Sequence, residues 1–88
     1  MNVSRDKVVQ DVIKTFINVV GFFNDKEINE INEQTDIVND YGVDGDDCSL
    51  VIEELERLYS VKPGHDEWKQ VSLISEIADV IIKHLETK

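Results

Sequence analysis

Residues 40–59 read DYGVDGDDCSLVIEELERLY, a short acidic loop followed by a pattern that predicts a helix. The apolar residues of this predicted central helix recur at helical spacing and form its expected buried stripe: Val51, Ile52, Leu55, Leu58 and Tyr59. Asp44 can cap the first free amides, and Asp47 lies in the first turn, where the helix dipole favours negative charge. The stretch therefore predicts an amphipathic helix that lies on a hydrophobic core and begins with acidic residues.

The opposite face of this helix is acidic and carries one apolar residue. Its members, the candidate docking residues for a protein partner, are Asp46, Asp47, Leu50, Glu53, Glu54 and Arg57. A run of charges usually marks a solvated helix face, and that interpretation stands beside the functional one. Leu50 favours docking, because an apolar residue ringed by acids can supply affinity while the charges steer encounter.

Composition limits the classes of partner. The chain has 88 residues, a net charge of -10, a pI near 4.4 and 41% hydrophobic residues. These values predict a single globular domain over residues 1–88. Because nucleic acid and anionic membranes would repel such a protein, we expect neither as a partner and expect basic protein surfaces instead.

The cysteine content and the start of the chain bear on compartment. Cys48 is the only cysteine, which excludes an internal disulfide and fits a reducing environment. It falls on the inward side of the central helix, where a small buried hydrophobe is expected rather than a nucleophile. No stretch approaches the roughly 20 apolar residues of a membrane span, and residues 1–7 contain no apolar signal core, so no signal sequence is expected. We expect a cytoplasmic monomer with no membrane insertion.

The first half of the chain predicts a long helix and a long loop. An apolar stripe at helical spacing predicts a helix from Ser4 to about Phe22. Residues 24–36 are polar and predict a structured loop with room for one helical turn. Ile37 and Val38 are expected to pin this loop to the core before the central helix begins.

The second half predicts a connector, a short turn and a last helix. Pro63 indicates a connector over residues 60–64. Residues 65–70 are expected to form one short turn that places Trp68 on the core, and Ser72 to cap a last helix that ends near residue 85. The predicted fold class is all-α: a four-helix bundle of three main helices and a short third helix, with a long loop after the first.

The loop and the central helix together resemble the acyl carrier proteins. That family has a Thr or Ser, an apolar pair and Asp-Leu-Gly in its long loop, then Asp-Ser-Leu opening an acidic second helix that ends in Phe-Gly. The positions that follow the pattern here are Thr35, Ile37, Val38, Asp40, Tyr41, Gly42, Asp44, Leu55 and Tyr59, with Pro63, Ser72, Leu73 and Ile77 extending it. The resemblance implies an acyl-carrier-like four-helix bundle whose acidic second helix docks basic surfaces of enzymes, including those of lipid or polyketide biosynthesis.

One position departs from the family pattern. Gly45 stands where the family has the serine that carries a 4′-phosphopantetheine arm, and glycine has no hydroxyl to modify. The Gly-Asp-Asp of residues 45–47 resembles small bacterial acyl-carrier-like proteins that lack this serine. The resemblance therefore implies a non-catalytic interaction or regulatory module without a prosthetic group.

An alternative places the phosphopantetheine on Ser49. In a shifted register, residues 47–50 imitate the family motif with one inserted residue, which would make the chain a working acyl carrier in lipid or secondary-metabolite biosynthesis. The shift would move Leu55 and Tyr59 off their core positions by four residues. It would also put the serine one turn inside the helix rather than at its start.

Other chemistries fit the sequence less well. Asp40, Asp44, Gly45 and Asp46 match four positions of a calcium-binding loop, but its third position lacks a ligand and Val51 stands where a bidentate Glu is required. A third class of function is a protein whose acidic surface mimics nucleic acid and binds a basic protein. It would share the negative charge of this chain without needing the acyl-carrier pattern.

The residue types of catalytic sites do not assemble into a motif. His65 and His84 lack metal-ligand spacing and are expected on the surface. No Ser-His-Asp or Cys-His arrangement and no glycine-rich phosphate loop occur in the sequence. We therefore expect a protein that is not an enzyme, with no catalytic residue, metal or cofactor in the favoured interpretation.

Overall fold

The computed structural model describes residues 4–21, 25–69 and 71–86. Over these ranges the chain forms helices joined by loops, with a single isolated bridge between Asp36 and Leu73 in place of any strand. The helices are α1 (Arg5–Val20), α2 (Asp25–Glu30), α3 (Gly45–Tyr59), α4 (His65–Trp68) and α5 (Ile74–Glu86). The all-α class is confirmed, but the described residues hold five helices where four were predicted.

The additional helix is α2, which lies in the stretch predicted as a loop with at most one turn. Its six residues, DKEINE, are almost entirely polar and present no apolar stripe at helical spacing. A helix without such a stripe cannot be recognised by periodicity. The long loop after α1 is therefore interrupted by a short helix.

Both ends of α1 are set by identifiable residues. The Ser4 hydroxyl accepts a hydrogen bond of 3.4 Å from the Lys7 amide, which satisfies one of the free N–H groups at the helix start. The helix ends at Val20 because Gly21 adopts a left-handed conformation with φ of 74°, which glycine reaches without strain. The predicted end at Phe22 lies outside the described residues.

The core lies where α1 packs along α3 and α5, with α4 resting on α5. The largest fully buried side chains are Phe16, Leu55, Ile74, Ile81, Val8, Val12 and Val51. Each such residue contributes about 1.5–3 kcal/mol when it leaves water. Trp68 is 8% exposed, which confirms its predicted place on the core. Its indole N–H is buried without a hydrogen-bond partner among the described residues.

The central helix α3 matches its prediction at the start and departs from it near the end. Asp44 caps the helix by accepting a hydrogen bond of 2.9 Å from the Asp47 amide, as predicted. Leu55 is fully buried, whereas Leu58, predicted in the same stripe, is 58% exposed. Leu58 stands at the edge of the apolar stripe on the α1 side, where the side chains of α1 do not cover it. The prediction for Leu58 was wrong.

One of the two residues predicted to pin the loop does so. Ile37 is 3% exposed, but Val38 is 41% exposed and faces solvent. The Asp36 carboxylate accepts the Val38 amide at 3.0 Å, and this tight turn rotates the Val38 side chain away from the core. Val43, 8% exposed and bonded through its amide to the Ile37 carbonyl, supplies the second apolar anchor.

The start of α5 is capped by a different residue from the one predicted. The Ser72 hydroxyl does not accept from the helix amides; it donates to Asp36 Oδ2 at 3.0 Å. Glu76 Oε1 instead accepts the amides of Ser72 and Leu73, at 3.2 and 3.0 Å, from within the first turn. A carboxylate at that position also complements the helix dipole.

Candidate functional site

The acidic face of α3, defined as Asp46, Asp47, Leu50, Glu53, Glu54 and Arg57, lies on the side of the helix opposite the core. Spacings of three, four, seven and eight residues bring these side chains onto one side of the helix. Asp47 is half-buried and the other five are exposed. Leu50 is 49% exposed, so the structure places an apolar side chain among four carboxylates.

Arg57 modifies the charge of this face locally. Its Nη1 lies 3.3 Å from Glu54 Oε1, an ion pair between residues three apart on the helix. Both side chains are largely exposed, and such a pair stabilises the helix by only about 0.3–0.5 kcal/mol. A cation brought by a partner can therefore replace Arg57 against Glu54 at little cost.

A groove runs along the boundary between the acidic face and α1. It has a volume of about 460 Å³ and is lined by Thr15, Asn18, Val19, Leu50, Glu54 and Leu58. Sequence reasoning assigned only Leu50 and Glu54 of this groove to a surface site and missed the other four residues, Thr15, Asn18, Val19 and Leu58. The available signal was the spacing of Leu50, Glu54 and Leu58 by four residues each, which puts them in one row at the edge of the stripe.

Gly45 is the first residue of α3, at the position where the resemblance expects a serine. A Cβ atom built on Gly45 meets no atom within 4 Å, so a serine side chain would have room there. With glycine present, no hydroxyl is available at this position, and the residues do not fit a phosphopantetheine group at Gly45. The open space means that packing does not require the glycine.

Ser49, the alternative attachment residue, lies one turn inside α3 and is exposed. A groove of about 390 Å³ on the α4 side of the helix is lined by Gly45, Cys48, Ser49, Ile52, His65, Trp68 and Lys69. Ser49 and Gly45 therefore border the same depression. They lie on the side of α3 that faces away from the α1 groove.

Cys48 is half-buried beside this depression and packs against the core, so it is only partly the buried hydrophobe that was predicted. Burial raises the pKa of its thiol, and the carboxylates of Asp44 and Asp47 raise it further. Because the thiolate is the reactive form, this environment favours an unreactive thiol.

The carboxylates of the acidic loop have structural partners. Asp40 Oδ2 accepts the Asp36 amide at 2.9 Å, and Asp44 caps α3. Among the described residues, no group of three or more His, Cys, Asp or Glu side chains is placed to hold a metal ion. The two residues therefore shape the loop and the start of α3.

The two histidines lie apart from the acidic face. His84 Nε2 is 2.7 Å from Glu67 Oε2, and Lys83 donates to the other oxygen of Glu67 at 3.1 Å. These hydrogen bonds hold the pKa of Glu67 below its ordinary value, with the one from His84 contributing most. The contacts join α4 to α5, while His65 borders the groove beside Ser49.

Comparison with protein-family models, with curated proteins and with solved structures finds no match to this chain. In the part of the chain that the structure describes, none of the helices combines the length and the apolar character that crossing a membrane requires. The acyl-carrier resemblance therefore rests on the motif residues and the surface described above.

Proposed function

We propose that this protein is an acyl-carrier-like, non-catalytic interaction module that docks basic protein surfaces through the acidic face of α3. The observation that carries the proposal is Leu50, 49% exposed among four carboxylates on a capped helix. Long-range attraction speeds the encounter with a basic surface, and desolvation of an apolar side chain supplies affinity. The proposed partners are basic surfaces on enzymes of lipid or polyketide biosynthesis, as the resemblance implies.

The arrangement of elements supports an acyl-carrier-like bundle. A long first helix, a long loop, an acidic helix, a short helix and a last helix follow one another in the order that the resemblance implies, with the short helix α2 added within the loop. Thr35 and Ile37, two loop positions of the motif, are buried at 7% and 3% exposure. Thr35 also accepts the Ile74 amide through its carbonyl at 3.0 Å, which ties the loop to α5.

Because Gly45 has no hydroxyl that could carry a group, the proposed role is regulatory. A module that presents a carrier-like face without an attachment hydroxyl can occupy the surface of a carrier-dependent enzyme but delivers no group to it. The consequence is competition with true carriers for one binding surface, or the recruitment of that enzyme to another protein. Either role requires docking and no catalysis.

Charge reversal tests the docking. Binding to immobilised acyl-carrier-dependent condensing enzymes would be measured by surface plasmon resonance for the wild type and for the double variant Glu53→Lys, Glu54→Lys. The matched control is Asp66→Lys, Glu86→Lys, which changes net charge equally at exposed residues of α4 and α5. We expect the first variant to lose at least about tenfold in affinity and the control to lose much less.

Two outcomes would contradict the proposal. If the wild type binds none of these enzymes while an ordinary acyl carrier protein binds them, the docking function is wrong. If both double variants weaken binding equally, only overall charge is recognised. The binding should also weaken as salt is added, because the charged groups are exposed.

A second candidate is a working acyl carrier modified at Ser49. The observation in its favour is that the Ser49 hydroxyl is exposed on α3 beside Gly45. Intact mass after incubation with coenzyme A and a broad-specificity phosphopantetheinyl transferase tests it. A gain of one phosphopantetheine that Ser49→Ala abolishes would establish this candidate; no gain, with an ordinary carrier fully modified, would exclude it.

A further inference from the structure

Two apolar side chains stand unusually exposed along one edge of α3. Leu58 and Leu50, at 58% and 49% exposure, are the most exposed large hydrophobic residues in the part of the chain that is described. Together with Glu54 they form a row spaced by four residues, so the three side chains lie one above another. The row is about 12 Å long, slightly more than two helical turns.

The opposite wall of the groove comes from α1. Thr15, Asn18 and Val19 line it, and Val19 is half-buried and packs against the core. The groove thus has an apolar side chain on its α1 wall and two on its α3 edge, with a carboxylate midway along that edge. Its shape fits the apolar stripe of a helix laid between two helices, because apolar residues seven or eight apart on such a helix match the separation of Leu50 and Leu58.

The charges around the groove indicate which kind of partner can bind there. A second copy of this chain would bring a net charge of -10 to a surface that is already acidic, so self-association is opposed. Glu54 lies in the groove and Glu53 next to it on the acidic face. Lys14 is exposed one turn before Asn18 on α1, and the Asp11 carboxylate of α1 is already engaged by Tyr59 and Lys7, so the carboxylate that lines the groove is Glu54 of α3. A basic partner would therefore direct its cations towards α3.

We propose that the α1–α3 groove binds an amphipathic helix of a basic partner, with apolar side chains on Leu50 and Leu58 and a Lys or Arg against Glu54. This inference rests on the proposed docking function and adds to it the form of the partner and the role of Leu58. Arg57 competes with the partner's cation for Glu54, from which it is 3.3 Å away. Removing Arg57 therefore strengthens binding, although Arg57 belongs to the acidic face.

The probe is a synthetic amphipathic peptide of about 14 leucine and lysine residues, long enough to form a helix on binding. The control peptide has the same composition with the leucines scattered around the helix. Affinity is measured by fluorescence anisotropy for the wild type, Leu58→Ser, Arg57→Ala and Val38→Ser. Val38 is a matched control because it is 41% exposed and lies in the long loop, away from the groove.

The proposal expects the amphipathic peptide to bind more tightly than the scattered one. Leu58→Ser should weaken it roughly tenfold, since one buried leucine contact is lost. Arg57→Ala should strengthen peptide binding, and Val38→Ser should leave the affinity within about twofold of the wild-type value. Because Leu58 is exposed, its replacement leaves the helix content unchanged, which circular dichroism verifies.

Each of the following results would overturn the inference. Equal binding of the two peptides, or binding indifferent to Leu58→Ser, would mean that charge alone is recognised. Dimerisation of the protein that Leu58→Ser abolishes would make a second copy the occupant. If Leu58→Ser has no effect while Glu53→Lys, Glu54→Lys still abolishes enzyme binding, the proposed function stands and only the groove assignment fails.

Discussion

The hydroxyl of Ser72 donates a hydrogen bond of 3.0 Å to Asp36 Oδ2 and thereby joins the long loop to the residues that precede α5. The same carboxylate accepts the amides of Val38 and Asn39, at 3.0 and 2.8 Å, and the side-chain amide of Asn39 at 2.7 Å. Asp36 thus organises the turn that leads towards the acidic helix. Its pKa is held below the ordinary value of 3.8, chiefly by the backbone hydrogen bond from Asn39.

Acid should destabilise the protein partly through Asp36. Because its pKa is lower in the folded than in the unfolded state, its contribution is complete above the ordinary value of 3.8 and is lost as the pH falls through the lowered value. Asp36→Asn should be less stable than the wild type near neutral pH and should lose less on acidification. Urea unfolding at several pH values measures this, with the exposed Asp66→Asn as the matched control. Parallel curves for the wild type and Asp36→Asn would contradict it.

Alkaline pH should destabilise the protein partly through Tyr59. Burial raises the pKa of its hydroxyl above the ordinary value of 10.0, and the hydrogen bond that this hydroxyl donates to Asp11 raises it further. A raised folded-state pKa means that the contribution is complete below pH 10.0 and is lost as the pH rises above it. Tyr59→Phe should unfold with a weaker dependence on alkaline pH. Thermal unfolding of both proteins across this range tests the assignment, and an unchanged dependence on alkaline pH in Tyr59→Phe would contradict it.

Ser60 offers a stabilising substitution. It ends α3 in a left-handed conformation with φ of 53°, which costs a residue with a Cβ about 1–2 kcal/mol. Ser60→Gly removes this strain but increases the entropy of the unfolded chain. The free energy of unfolding is therefore expected to rise by about 0.5–1 kcal/mol. Chemical denaturation gives the value. The reciprocal change Gly21→Ser, at φ of 74°, should destabilise; a loss of stability in Ser60→Gly would contradict the strain argument.

Periodicity predicted the parts of the fold in which an apolar stripe meets the core. It located α1, α3 and α5, because Phe16, Leu55 and Ile81 repeat at helical spacing with their neighbours and are fully buried. It could not reveal α2, whose residues are polar. It also misplaced Leu58, since residues at the edge of a stripe are covered only if a neighbouring helix supplies the side chains to do so.

Local hydrogen bonds explain the other differences. Serine before a helix is a common cap, but the Ser72 hydroxyl is engaged by Asp36, which is distant in sequence. Val38 faces solvent because of the turn that Asp36 makes. The placement of the acidic residues was predicted more completely, since helical spacing alone puts them on one face of α3. The groove was not predicted, because it depends on how α1 packs against α3.

Restoring the missing serine tests the register of the resemblance. Gly45 begins α3, and a side chain there meets no atom within 4 Å, so Gly45→Ser should fold normally. If Gly45 occupies the attachment position, the variant should gain one phosphopantetheine on incubation with coenzyme A and a broad-specificity transferase, while the wild type gains none. Intact mass measures the modification, and an ordinary acyl carrier protein is the positive control.

Two further variants make this result specific. Gly64→Ser adds a hydroxyl at another open glycine, the residue before α4, and should remain unmodified. Gly45→Ser combined with Ser49→Ala should be modified as fully as Gly45→Ser, because the new hydroxyl carries the group. If Gly45→Ser stays unmodified while the carrier control reacts completely, then Gly45 does not mark a lost attachment site, and the acidic face must be explained without the carrier pattern.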